Sequence, residues 1–361
     1  MKILIATDAW FPQVNGVVRS LDATIRCLLA RGHEVEMVTP ADFASIPCPT
    51  YPEIRLALGC RRKVAERLSA FSPDAIHIAT EGPIGWAARS WCRKKHRSFT
   101  TCFHTRFPDY AAARTGLPAA AFWPFIRRFH APARRVMVAT PSLAAELTAR
   151  GIGPVHLWSR GVDLARFGRP AGPPPAIADL PRPILLSVGR VAVEKNLEAF
   201  LSLDTPGTKV VVGDGPALEE YRRRFPDTHF LGKLEGDALV GAYRAADLFV
   251  FPSRTDTFGL VNIEALACGL PVAAFPVPGP VDIIGLDGCG VHGGTRRIGA
   301  LDENLEAAID QALGCDPFDC ETEASHYRWS RCTDAFLEGL SDFADEQTAR
   351  ANRATPGLLP V

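Results

Sequence analysis

No CxxC pair occurs in this chain, no apolar run is long enough to span a bilayer, and no G-x-G-x-x-G follows a strand-like segment. Each absence removes a class of protein. The ten cysteines, Cys27, Cys48, Cys60, Cys92, Cys102, Cys268, Cys289, Cys315, Cys320 and Cys332, are scattered. That spacing fits neither a zinc site nor a disulfide framework, and a reduced, cytosolic compartment is the expectation. Cys27, Cys102 and Cys268 stand in apolar segments, where the thiol acts as a small hydrophobe. The opening MKILIATDAW has too short an apolar run for a secretion signal and meets Asp8 at once. Without a dinucleotide fingerprint an NAD-dependent enzyme is disfavoured. An excess of one charge is also missing: 40 Lys and Arg balance 40 Asp and Glu, so nothing draws the whole chain to nucleic acid.

What is present is a long, apolar, rhythmic chain. Its 361 residues, 47% hydrophobic and 22% charged, leave room for two domains with sizeable cores. Short apolar runs at 3–6, 35–39, 75–79, 98–103, 136–140 and 155–158 read as buried strands. Helical stretches at 17–30, 61–68 and 85–96, and one ending at Arg150, alternate with them. The same rhythm restarts with strands at 184–188, 209–212, 229–231, 248–251 and 272–274. Alternation of this kind predicts an α/β fold with parallel sheets. Between the halves, residues 169–183 (RPAGPPPAIADLPRP) are too rich in proline for helix or central strand and read as a linker. Residues 40–70 read as a proline-rich loop followed by a basic helix. Residues beyond 344 look polar and loosely held.

The most informative window is 251–280, FPSRTDTFGLVNIEALACGLPVAAFPVPGP. A strand ends, a polar turn follows, and a helix spans 259–268, stopped by Gly269 and Pro271. The first turn of a helix offers unpaired N–H groups to an anion such as phosphate. Asp256 and Glu264 flank that turn, and carboxylates suit hydroxyls on either side of a phosphate; a helix cap and a wet helix face account for them equally well. Further strand ends carry polar residues where open α/β sheets bind ligands. Asn15 and Gly16 open the first helix, and an ordinary turn reads the same way. His104, Arg106, Asp109 and Tyr110 follow the strand at 98–103. Arg190 and Lys195 follow the strand at 184–188, and two cations at a glycine turn suit a diphosphate. In residues 122–135 (FWPFIRRFHAPARR) aromatics alternate with arginines, and Arg93, Lys94, Lys95, His96 and Arg97 form a second basic patch. One buried face explains the first stretch; an interfacial helix on an anionic membrane explains both.

The pair Asp256 and Glu264, with TDTFG and EALACGLPV around it, resembles the E-x7-E signature of retaining glycosyltransferase family 4, the GT-B enzymes that include sucrose synthases, mannosyltransferases and glycolipid synthases. The first Glu is here Asp, which keeps the charge and loses one methylene. FPQVNGVV, the His104-Thr105 step, the GR-x4-K step of Arg190 and Lys195, GDGP at 213–216 and PVPGP at 276–280 extend the resemblance over nearly the whole chain. It implies two Rossmann-like domains facing a central cleft, over 1–168 and 184–325, with a last helix at about 326–344 returning to the first. It implies a donor site of Gly16, Arg190, Lys195, Leu234, Asp256, Phe258, Gly259, Leu260 and Glu264. Asp256 would hold the transferred sugar and Glu264 the ribose. His104 would sit by the reacting carbon, and Asn15, Arg106, Asp109 and Tyr110 on the acceptor side. The catalytic set would be His104, Arg190, Lys195 and Asp256.

The implied reaction is hexosyl transfer from a UDP- or GDP-sugar with retention, the leaving phosphate helping to deprotonate the acceptor. No metal or further cofactor is expected, since no DXD stands at a matching position. The likeness to glycolipid-forming enzymes points to a lipid acceptor such as a diacylglycerol or phosphatidyl lipid, and to peripheral attachment at the cytoplasmic face of a membrane. A polysaccharide or soluble sugar acceptor, a nucleotide-sugar 2-epimerase and a silent nucleotide-sugar-binding module remain as alternatives.

Overall fold

The computed structural model describes residues 1–13, 15–48 and 51–340. The chain divides into two units, one of residues 1–159 joined by 330–340, the other of residues 160–329. In the first unit lie Lys2–Ala6 (β1), Glu34–Val38 (β2), Ser45–Cys48 (β3), Tyr51–Ala57 (β4), Ala75–Ile78 (β5), Thr100–Cys102 (β6), Arg135–Val138 (β7) and Val155–Leu157 (β8). Six of these form one sheet in the order β2-β1-β5-β6-β7-β8, every pair parallel. Helices cover a parallel sheet on both faces, so its inner strands are apolar throughout. Ile3, Leu4, Ile5 and Ala6 in β1 and all of β5 are accordingly buried. The helix Gly16–Ala30 buries Val18, Leu21, Ile25 and Leu28, a repeat of three and four residues that lays one stripe on the sheet.

β3 and β4 form an antiparallel hairpin, with Ile46 opposite Leu56, where the sequence reading had a loop. Prolines at 47 and 52 argued against strands there. A two-stranded sheet is all edge, however, and a proline loses nothing on the side without a ladder. Residues 49–50 of that loop, and Val14 in the glycine-containing loop, lie outside the described residues.

The final helix, Trp329–Leu340, packs on the first unit through Phe336, whose ring meets Trp158 at 4.8 Å and His77 at 5.1 Å. Asp334 accepts from Arg31 at 2.6 Å. Gly339 packs closely on Met137 and His156, with a Cβ there standing 2.6 Å from Met137 Cε and 2.9 Å from His156 Cδ2. The expected continuation to 344 and the polar tail after it lie outside the described residues.

The second unit repeats the plan with Ile184–Val188 (β9), Thr208–Val212 (β10), His229–Gly232 (β11), Leu248–Phe251 (β12), Val272–Ala274 (β13) and Gly299–Leu301 (β14). They form a parallel sheet ordered β11-β10-β9-β12-β13-β14. The proline-rich stretch 169–183 belongs to this unit. Ile177 is buried, and Arg244 donates to the carbonyls of Phe167 and Arg169. Proline density reports the absence of helix and strand; it does not report an absence of packing, and these residues group with the second unit.

Both sheets reverse direction once, between β1 and β5 in the first unit and between β9 and β12 in the second. At such a reversal the loops from neighbouring strands diverge to opposite faces and leave a crevice at the strand ends.

Candidate active site

In the second unit, the loops leaving β9 and β12 carry the key residues. After β9 come Gly189 and half-buried Arg190, then a 3-10 turn, Val193–Lys195, closed by Asn196 in the left-handed region at φ 53°. Three side-chain contacts tie this loop to the one after β12. Asn196 Nδ2 donates to the Pro252 carbonyl at 3.0 Å, Thr255 Oγ1 donates to the Glu194 carbonyl at 3.1 Å, and Lys195 Nζ lies 2.5 Å from Asp256 Oδ1. The ion pair is partly buried, and the other Asp256 oxygen is buried with no hydrogen-bond partner. Ser253 Oγ and the whole amide of Asn262 are likewise buried without partners.

The Arg190 loop is braced from below. Val191 N–H donates to the Asp214 carbonyl at 2.9 Å, and Gly189 N–H to the Val212 carbonyl at 3.0 Å. A Cβ on Gly213 would stand 1.7 Å from the Gly189 oxygen, so only glycine lets the GDGP turn pass beneath.

The helix Leu260–Ala267 starts from Gly259, which caps it at φ +80°, a conformation that costs glycine little. Phe258 is buried and packs edge-on to Tyr327 at 6.0 Å, and Leu260 is half-buried at the first helical position. Gly279, in the PVPGP loop, backs directly on the Phe258 carbonyl. Glu264, one turn further along the helix, is 6% exposed, and its Oε2 accepts from the Tyr243 hydroxyl at 3.1 Å. Leu234, just past β11, is half-buried. Thus Arg190, Lys195, Asp256, Phe258, Gly259, Leu260 and Glu264 come from the two loops at the sheet's reversal and the helix that follows. Leu234 comes from a strand further out.

The first unit has its own arrangement at the β1–β5 reversal. Asp8, just past β1, accepts from Thr80 Oγ1 at 2.9 Å and from the N–H groups of Ile84 and Gly85 at 2.8 and 3.2 Å. Its carboxylate therefore fills the start of the helix Pro83–Lys94. Burial pushes its pKa up to about 6, against the hydrogen bonds from Ile84, Gly85 and Thr80, which pull it down. Glu81 lies 3.3 Å from His130 Nε2, and His130 Nδ1 is 2.8 Å from Thr101 Oγ1.

Gly16 begins the first helix, and Asn15 Oδ1 accepts from Val18 N–H at 3.0 Å as its cap. His104, two residues past β6, is 8% exposed and sits edge-on to Trp158 at 5.5 Å. Arg106 is held by Asp109 at 2.8 Å and by both oxygens of Glu146 at 2.8 and 3.2 Å. Tyr110 is half-buried one turn on. The expected acceptor-side pair Arg106 and Asp109 thus forms an internal network that joins the helix Phe107–Thr115 to the helix Pro141–Ala149.

Sequence reasoning missed Ser253, Thr255, Asn196, Asn262 and Tyr243 around the second-unit loops, and Asp8, Glu81 and His130 in the first unit. Only Asp8 had a signal, as a carboxylate closing an apolar strand; the others read as ordinary loop or core positions. Among the described residues no group of three or more metal-ligating side chains converges.

Each unit carries one Rossmann-like parallel sheet that reverses once, as in the GT-B fold, and comparison with known proteins agrees. The Glycosyltransferase Family 4 model matches residues 14–166, and the Glycosyl transferases group 1 model matches 175–316. A GDP-mannose-dependent alpha-mannosyltransferase of Mycobacterium tuberculosis is 31% identical over 79% of this chain and 81% of its own length. An alpha-monoglucosyldiacylglycerol synthase of Streptococcus pneumoniae is 26% identical over 88% and 79%. The crystal structure of Anabaena HepE in complex with UDP-glucose superposes with a TM-score of 0.68 at 16% identity, covering 95% of this chain and all of that one, and so shares the fold. The chain belongs to the family 4 glycosyltransferases.

Proposed function

We propose that this glycosyltransferase moves a hexosyl group from a nucleotide diphosphate sugar to a lipid hydroxyl, with retention and without a metal. The observation that carries the reading is the joining of Lys195 to Asp256 beside the helix that bears Glu264. Lys195 and Arg190 bind the diphosphate, and their charge stabilises the negative charge that builds on it as the bond to the sugar breaks. Asp256 accepts from hydroxyls of the transferred sugar, and Glu264, steadied by Tyr243, accepts from the ribose. Phe258, Gly259, Leu260 and Leu234 shape the rest of the donor pocket. The anomeric carbon leaves the diphosphate oxygen and bonds the acceptor oxygen on the same face. The acceptor's proton goes to the departing phosphate oxygen. On the first unit, Gly16 allows close approach of the diphosphate, and His104 stabilises the sugar near the reacting carbon. Asn15 and Tyr110 lie on the acceptor side, with Arg106 and Asp109 holding that helix in place.

The choice of a lipid acceptor is supported by the name of the streptococcal relative, a glucosyldiacylglycerol synthase. The mycobacterial relative is named for GDP-mannose, so both nucleotides enter the test. UDP-glucose, UDP-glucuronate, UDP-galactose and GDP-mannose are each supplied with a total lipid extract, with and without chelator, and products are read by mass spectrometry. A glycolipid formed from one donor in the presence of chelator is the expected result. Conversion of a donor with no acceptor would identify an epimerase, binding without turnover a silent module, and a glycosylated polysaccharide or soluble sugar a different acceptor class.

A further inference from the structure

Residues 116–126, GLPAAAFWPFI, carry no charge, yet much of the run faces water. Leu117 is 55% exposed and Phe125 42%, and Phe107 on the preceding helix is 43% exposed. Pro118, Ala120, Ala121 and Pro124 are exposed beside them. The aromatic part of the surface is continuous, because the rings meet. Phe107 lies 6.1 Å from Phe125 and 6.2 Å from Phe122, and Phe125 lies 5.5 Å from Trp86. Single exposed apolar residues are ordinary, but a connected apolar area marks an interaction surface. The helix Trp123–His130 is therefore divided: Trp123, Ile126 and Phe129 hold the core, while Phe125 points outward.

Cations gather at the edge of this surface. Arg89 covers the Trp86 ring at 4.8 Å and donates to the carbonyls of Phe129 and Arg128. Its pKa is lowered by burial first, then by the guanidiniums of Arg93 and Arg128, which places both within electrostatic reach of Arg89. Among the described residues no carboxylate pairs with Arg93 or Arg128. The acids on the adjoining helices are already taken: Asp109 by Arg106, and Glu146 by Arg106 and Arg150. An uncompensated cluster of arginines beside exposed rings needs an anionic partner with an apolar interior behind its charged surface.

We propose that this face of the first unit docks on a bilayer containing anionic lipid, with Leu117, Phe107 and Phe125 entering the headgroup boundary and Arg93 and Arg128 meeting phosphates. The inference rests on the lipid-acceptor reading in one respect, the choice of a bilayer over an acidic protein as partner. Apolar insertion supplies the attraction that salt does not screen, and the arginines supply the preference for anionic lipid.

The test is cosedimentation of the full chain with vesicles of phosphatidylcholine alone and with one-third phosphatidylglycerol, at low and high salt. Binding to the anionic vesicles, weakened but not abolished by salt, is expected. Leu117→Asp, and separately Arg93→Glu with Arg128→Glu, should each lower that binding about tenfold or more, with nucleotide-sugar affinity by calorimetry unchanged. Equal binding to neutral vesicles, no binding to either, or variants that sediment like the parent would overturn the proposal. So would a dimer on gel filtration that Leu117→Asp abolishes, because the surface would then be covered by a second copy. Loss of the glycosyltransferase reading would show separately, as absence of nucleotide-sugar binding in the calorimetry, and leaves the vesicle result interpretable.

Discussion

Lys195 Nζ and Asp256 Oδ1 lie 2.5 Å apart and join the loops on either side of the second sheet's reversal. These are the groups proposed to bind the diphosphate and the sugar, so a donor must replace a bond that the protein already makes. A nucleotide diphosphate without sugar satisfies Lys195 and leaves Asp256 partly buried and unpaired. Asp256→Asn should therefore narrow the difference in affinity between nucleotide diphosphate and nucleotide sugar, measured by titration calorimetry. An unchanged ratio would refute the exchange.

Removing the cation is costlier than neutralising the acid. Lys195→Ala leaves a partly buried carboxylate without a counterion, and should lower stability by about 1–3 kcal/mol. Asp256→Asn should cost less, because the amide oxygen can still accept from the Lys195 ammonium. Urea unfolding without ligand separates the two, and no loss in either variant would show that the pair contributes no net stability. In turnover, Lys195→Ala should lose roughly a hundredfold or more.

The Tyr243 hydroxyl is the brace for Glu264. Tyr243→Phe keeps the ring against Phe249 and Phe167 and removes the hydroxyl that donates to Glu264. Donor KM should rise about tenfold, equivalent to ~1.4 kcal/mol, with kcat largely kept, since the ribose contact is made in both ground and transition states. A fall in kcat with KM unchanged would place Glu264 nearer the chemistry than proposed.

Asp8 gives a pH signature of definite sign. Its pKa in the fold is raised to about 6 by burial, so the folded state holds a proton that the unfolded chain releases at lower pH. Its contribution to stability is fullest below the unfolded pKa and declines as pH rises to about 6, by up to roughly 3 kcal/mol. The informative quantity is the difference between parent and Asp8→Asn. The parent should lose stability relative to the variant between about pH 4 and 6. A constant difference would show that Asp8 ionises normally.

Gly213→Ala tests the brace beneath Arg190. The new methyl would meet the Gly189 carbonyl at 1.7 Å, in a conformation that also strains any side chain. The Arg190 loop should shift, weakening nucleotide-sugar binding as well as lowering stability by about 1–3 kcal/mol. Donor affinity unchanged in the folded fraction would show that the GDGP turn does not position that loop.

The α/β class and the family were legible in the sequence, because strand–helix alternation and the Asp256 and Glu264 spacing are local patterns. The hairpin at 45–57 was not, since Pro47 suppressed a signal that only an edge strand can ignore. Arg106 and Asp109 were legible as charges but not as partners. Glu146, which engages Arg106, stands forty residues further along the chain.

Periodicity and spacing along the chain determined, without any structure, that two parallel-sheet units exist and that cations and carboxylates stand at strand ends in the second. These are properties of near neighbours, and backbone geometry enforces them locally. Which of those charges meet, which polar groups are buried without partners, and which aromatics of residues 122–130 face water were decided only by tertiary packing. Strand order brings β9 beside β12 across some sixty residues of chain, so that Lys195 finds Asp256. No local rule encodes a contact whose partners are chosen by how the sheet is wound.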